Sequence, residues 1–158
     1  MQAFHQWKHD LLRGDRRYMH LCPQSPPLTM FTDACPSGWG VVIFEGASLE
    51  ITGGSYDAQF ITDCGQFSIV ERIAILEARA LQYGVDSLPF QNEPRSIGIH
   101  IDNQELLFAW RKGRSKNFAI NQVVQRILTR LSQMNYHPHL YWVPSAANIA
   151  DALSRVFE

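Results

Sequence analysis

Cysteine is scarce: Cys22, Cys35 and Cys64 are the only three in 158 residues. They form no Cys-x-x-Cys pair and show no finger-type spacing, so a structural zinc site is not expected, and an odd count speaks against a disulfide framework. A reducing, intracellular setting, cytoplasm or nucleus, is the expectation. Long apolar runs are missing too: no stretch approaches the roughly 18 residues of a membrane span, and the first residues lack the apolar core of a signal peptide. No membrane partner is expected. Nor is there an excess of positive charge, with 14 Lys and Arg against 15 Asp and Glu. A domain that holds nucleic acid by itself carries a basic footprint, so this one would bind such a partner weakly alone. Internal repeats and low-complexity tracts are absent.

What is present is a core. With 46% hydrophobic side chains, the chain is long enough for one domain and too short for two comfortable ones. Residues 3–13 carry Phe4, Trp7, Leu11 and Leu12 at helical spacing, followed by a charged stretch and a Pro-rich segment from Pro23 to Pro27. This pattern predicts an arm and linker over 1–27 and a main fold over 28–158. Three β-rich runs, Leu28–Thr32, Gly40–Phe44 and Leu49–Thr52, are punctuated by Gly46, Gly53 and Gly54 and predict a meander. Apolar residues recur every three to four positions from Ile69 to Tyr83, with no Gly or Pro until Gly84, and predict a helix. Next come a strand over Ser96–Ile101, a short helix over Asn103–Trp110 and an amphipathic helix over Phe118–Met134. A strand over His139–Val143 and a helix over Asn148–Val156 close the chain. This order predicts an α/β fold: a mixed five-stranded sheet, its first three strands antiparallel, flanked by helices.

The chemistry lies in the acids. Asp33 ends the first apolar run in Phe31-Thr32-Asp33-Ala34, Asp102 ends another in Ile99-His100-Ile101-Asp102, and Asp151 opens the closing helix region in Asn148-Ile149-Ala150-Asp151. A lone Asp at a strand end is commonly a cap or turn former; three in this order, each beside small residues, fit that reading poorly. Carboxylates held a few ångströms apart at a sheet edge repel by about 4 kcal/mol per pair at intermediate dielectric. A cation resolves the conflict. Mg²⁺ favours hard carboxylate oxygens, and a pair of such ions activates water and stabilises a departing phosphodiester oxygen, so phosphoryl transfer or hydrolysis is the expected chemistry.

Taken together, Thr32-Asp33-Ala34, Gly38-Trp39-Gly40, an acid on the central helix, Ile101-Asp102-Asn103 and Val143-Pro144-Ser145 followed by Asn148 to Arg155 resemble the ribonuclease H domain of reverse transcriptases. The likeness is greatest to tyrosine-recombinase retrotransposons, Ty3-like elements, and hepatitis B-type and plant pararetroviruses, and it covers roughly residues 28–156. It implies a ribonuclease H-like fold and a site of four acids, Asp33, a helix glutamate, Asp102 and Asp151, holding two Mg²⁺ or Mn²⁺ ions. It further implies cleavage of the RNA strand of RNA–DNA hybrids, with residues 1–27 joining the domain to a polymerase of the same polyprotein.

Two glutamates compete for the helix position. Glu77 lies in Ile73-Ala74-Ile75-Leu76-Glu77-Ala78, similar to a retrotransposon signature, and shares a helical stripe with Val70, Ile73, Ala74, Ala80 and Leu81; Glu71 shares a face with Ser68 and Gln82. Phase favours Glu77, with Glu71 the alternative. The resemblance departs at one point: many ribonucleases H carry a His between the last strand and last helix, whereas here Pro144-Ser145-Ala146-Ala147 has none, and His137 and His139 fall on the other side of the last strand, His139 at its predicted start. That absence suggests a slower or differently assisted reaction.

For substrate contacts, Asn103 and Gln104 stand at a helix start from which amides reach a phosphate or a 2′-hydroxyl, although Asn103 equally suits an N-cap. Arg111, Lys112, Arg114 and Lys116 form a basic connector that either grips the hybrid or is merely solvated. Trp39 suits packing better than base stacking. Two further classes stay in view: a catalytically silent module of a polymerase, and a DNA nuclease or integrase of related fold.

Overall fold

The computed structural model describes residues 28–157, the side chain of Phe157 excepted, so the predicted arm over 1–27 lies outside the described residues. The first three strands, β1 (Leu28–Ala34), β2 (Gly38–Glu45) and β3 (Ser48–Ser55), form the antiparallel meander. Strand β4 (Arg95–Ile101) pairs parallel with β1, and β5 (Tyr136–Trp142) pairs parallel with β4. The sheet order is β3-β2-β1-β4-β5, the mixed five-stranded sheet expected from the sequence.

Helices α1 (Ala58–Cys64) and α2 (Ile69–Asp86) follow the meander, and α3 (Gln104–Lys112) and α4 (Phe118–Gln133) separate β4 from β5. The core is one layer: Met30, Val41, Ile97 and Ile99 of the sheet pack against Leu81 and Val85 of α2 and Ile120, Val124, Ile127 and Leu131 of α4. Buried apolar side chains of this size each contribute about 1.5–3 kcal/mol. A short 3₁₀ turn (Ser145–Ala147), the single-turn helix α5 (Asp151–Ser154) and a second 3₁₀ turn (Arg155–Phe157) close the described chain.

The structure corrects several boundaries. Helix α2 continues through Gly84 because the glycine seats the helix on the sheet: a Cβ there would meet Met30 Sδ at 2.8 Å. Helix α1 was not expected; Asp57 caps it by accepting from the amides of Gln59 and Phe60. Strand β5 begins at Tyr136 and runs through Pro138, which an edge strand tolerates. His137 therefore lies within β5 together with His139. The predicted closing helix is split, because Asn148 turns its side chain back on its own backbone and accepts from the Ala150 amide. Val70 and Ile73, assigned to the inward stripe of α2, are exposed, while Ala74, Ala78, Ala80 and Leu81 are buried. Trp39 packs, stacking on Tyr83 at 4.5 Å between ring centroids.

Candidate metal centre

The acids converge at the C-terminal ends of the neighbouring strands β1 and β4. Along β1, Met30 and Thr32 turn toward α2, and Phe31 and Asp33 turn the other way. Asp33 pairs in register with Gly40, and a Cβ on Gly40 would meet Leu153 Cβ at 2.6 Å and the Ala150 carbonyl oxygen at 2.9 Å. Helix α5 thus lies directly on β2, on the face opposite α2, and only glycine permits that approach. From the α2 side, Glu77 reaches around the end of β1 to accept from the Ala34 amide. Asp102 arrives just past the end of β4.

Ligand oxygens of Asp33, Glu77 and Asp102 lie within 4.8 Å of one another. Asp151 lines the same cleft of about 230 Å³, together with Asn103, Ser145 and Arg155. Its Oδ1 accepts from Arg155 at 3.3 Å. Burial, the neighbouring Asp102 and, more weakly, Asp151 push the Asp33 carboxyl up to about 7, against a lowering hydrogen bond from Ser154. Glu77 is pushed well above the usual carboxylate range, first by burial and then by Asp102 and Asp33. Its Oε2 is buried and has no hydrogen-bond partner. An anionic oxygen left so is costly. The hard carboxylate oxygens of Asp33, Glu77 and Asp102, one of them buried without a partner, fit a divalent cation, with Asp151 lining the same cleft.

The two candidate glutamates stand apart. Glu77 is buried in the cluster. Glu71 forms the capping box of α2: its Oε2 accepts from the Ser68 amide at 3.0 Å, while its own amide donates to Ser68 Oγ. The Ser68 hydroxyl, which donates to Oε2 at 2.8 Å, and then the Ser68 amide hold its carboxyl below the usual range. Asn103 caps α3, its Oδ1 accepting from the Leu106 amide at 2.8 Å, and its residue borders the acidic cleft. Gln104 is exposed on the first turn. Arg111 and Lys112 end α3, Gly113 closes it at φ 68°, and Arg114 and Lys116 follow; all four cations are exposed. The structure does not bring them into the cleft.

Sequence reasoning missed the residues that hold the closing segment. Asn148 is buried and donates through Nδ2 to the Thr32 carbonyl at 2.9 Å. Cys35 donates to the Ser154 carbonyl at 3.0 Å, and Ser154 Oγ stands 2.6 Å from Asp33 Oδ2. The available signal was small polar residues spaced inside an otherwise apolar string, Asn148 to Ser154. His100 was also unforeseen; it stacks between Phe31 and Tyr141 across the sheet, and burial lowers its basicity. A second, polar groove between α2 and α4, lined by Gln82, Arg126 and Arg130, gathers no acids beyond Asp86.

Comparison with protein-family models and with curated proteins yields no match. Comparison with solved structures does. The N-terminal RNase H domain of a Mycobacterium tuberculosis protein aligns with a TM-score of 0.53 at 18% identity, over 82% of this chain and 91% of that one. RNase H1 from the halophilic archaeon Halobacterium salinarum aligns with a TM-score of 0.57 at 15% identity, over 80% of this chain and 93% of that one. The fold is ribonuclease H-like.

Proposed function

We propose that this domain is a metal-dependent endoribonuclease that hydrolyses the RNA strand of RNA–DNA hybrids, with Asp33, Glu77, Asp102 and Asp151 as ligands of two Mg²⁺ or Mn²⁺ ions. The observation that carries this is the gathering of Asp33, Glu77 and Asp102 within 4.8 Å at the strand ends, with Asp151 across the same cleft. Bound there, divalent ions lower the pKa of an attacking water and neutralise charge on the phosphate. The chain's own residues supply the frame. Asp33 and Glu77, disfavoured as bare anions by burial, gain most from a cation, and Asp102 adds a less buried carboxylate from the neighbouring strand. Asn103 and Gln104, at the start of α3 beside Asp102, would meet the backbone or a 2′-hydroxyl, which distinguishes RNA from DNA. Arg111, Lys112, Arg114 and Lys116 would hold the duplex farther out by its phosphates.

The setting proposed is a retroelement reverse transcriptase, supported by the closing Asn148 to Arg155 string, with 1–27 leading from a polymerase region and 28–158 forming the nuclease. Near-neutral net charge suits a domain whose grip on the hybrid is shared with such a partner. Labelled RNA–DNA hybrid, double-stranded DNA and double-stranded RNA, each with Mg²⁺, Mn²⁺ or chelator, test the reading. Cutting confined to hybrid and dependent on metal supports it; binding without cutting supports a silent module, and cutting of DNA supports an integrase-like nuclease.

A further inference from the structure

The hydroxyl of Ser154 is wholly buried, and its oxygen lies 2.6 Å from Oδ2 of Asp33, 121 residues earlier in the chain. The Asp151 carbonyl is a second acceptor at 2.9 Å. A hydroxyl has one proton to give, and the shorter contact is the one to the carboxylate, as charge-assisted bonds are. The turn that carries Ser154 is fixed independently: Asn148 holds its approach to Thr32, Cys35 holds the Ser154 carbonyl, and Gly40 lets the turn sit flush on β2. One residue therefore grips the first-strand acid and ends the helical turn that Asp151 begins.

We propose that Ser154 is a positioning residue, which holds Asp33 by Oδ2 so that its other oxygen faces the cation site, and which sets the separation between Asp33 and Asp151. This rests on the reading of those acids as metal ligands. A mere fastener of α5 would act on stability alone. A positioning residue acts on metal binding, and acts through Asp33.

The test is Mn²⁺ binding by electron paramagnetic resonance, with hybrid cleavage alongside, for the whole chain and its variants Ser154→Ala, Ser154→Thr, Asp33→Asn and the double variant Ser154→Ala/Asp33→Asn. Loss of the hydroxyl is expected to weaken Mn²⁺ binding about tenfold, the lower end for a partner that orients a ligand. kcat should fall while KM for hybrid holds. Ser154→Thr, which keeps the hydroxyl, should recover most of the loss, and in the Asp33→Asn background Ser154→Ala should cost nothing more. Unchanged Mn²⁺ binding in Ser154→Ala, or an equal loss in both backgrounds, overturns the inference. Should Ser154→Ala fail to fold, the near-isosteric weak donor Ser154→Cys carries the same comparison. A wild-type chain that binds no Mn²⁺ and cuts no hybrid overturns the underlying reading instead.

Discussion

The acids differ in burial and in partners, and substitutions separate them. Replacing Asp33 or Asp102 by Asn removes a charge and little volume, so hybrid cleavage should fall by at least about two orders of magnitude, since such ligands help bind the ions that activate water. The fold should survive, as circular dichroism would show. Glu77→Gln should abolish cutting and raise the thermal midpoint of the metal-free protein at pH 8, because an anion disfavoured by burial becomes neutral. Glu71→Gln should do neither: Gln keeps an acceptor for the capping box, so stability to urea should change little and the cleavage rate should be kept. A Glu71 variant that stops cutting would contradict this division. The acids were legible because charge at the end of an apolar run is conspicuous in a sequence. Ser154 and Asn148 were not, because what they do depends on partners more than a hundred residues away.

Among the elements, the short α5 depends most on its surroundings. At four residues it has almost no helical stability of its own. It is held by Gly40 beneath it and by the side chains of Asn148 and Cys35. Gly40→Ala would place a Cβ against Leu153 and the Ala150 carbonyl, so α5 must lift; a cost of about 1–3 kcal/mol is expected for such overpacking. Cleavage should drop with it, since Asp151 moves, and a thermal melt with a rate assay on the same sample checks both. Unaltered stability would mean that α5 does not rest on β2. This dependence also explains why the closing helix was overextended from the sequence: apolar periodicity cannot show that Asn148 is diverted to Thr32. Strand β5 was started late for a related reason, because Pro138 reads as a break until its place at the sheet edge is known. The long helices were legible, since α2 and α4 repeat their apolar residues over many turns.

At the scale of the whole molecule, the cluster of acids works against the fold. Asp33 titrates near 7 in the folded chain, far above its ordinary unfolded value, and Glu77 is shifted the same way. Between those limits the folded state binds more protons than the unfolded one, so stability is full at acidic pH and falls as pH rises through about 7. The metal-free protein should therefore melt higher at pH 5.5 than at pH 8. Mg²⁺ should reverse the order by binding the ionised site, and should raise the midpoint more at pH 8 than at pH 5.5. A midpoint that rises with pH without metal would contradict the burial of these charges. Among the described residues, no helix is long and apolar enough to cross a membrane. The mixed sheet was legible as a whole because closely spaced apolar runs predict a meander and helices between the later runs imply crossovers, whereas the strand order β3-β2-β1-β4-β5 came from the structure. The proposed cutting of RNA opposite DNA would take place at the strand ends that carry these acids. Its most direct measurement follows both strands of a hybrid, each labelled in turn, with wild type and Asp33→Asn in Mg²⁺ and in chelator. The account predicts fragments from the RNA strand alone, with wild type and Mg²⁺ alone; cutting by Asp33→Asn at the wild-type rate, or no cutting by wild type in any metal, would contradict it.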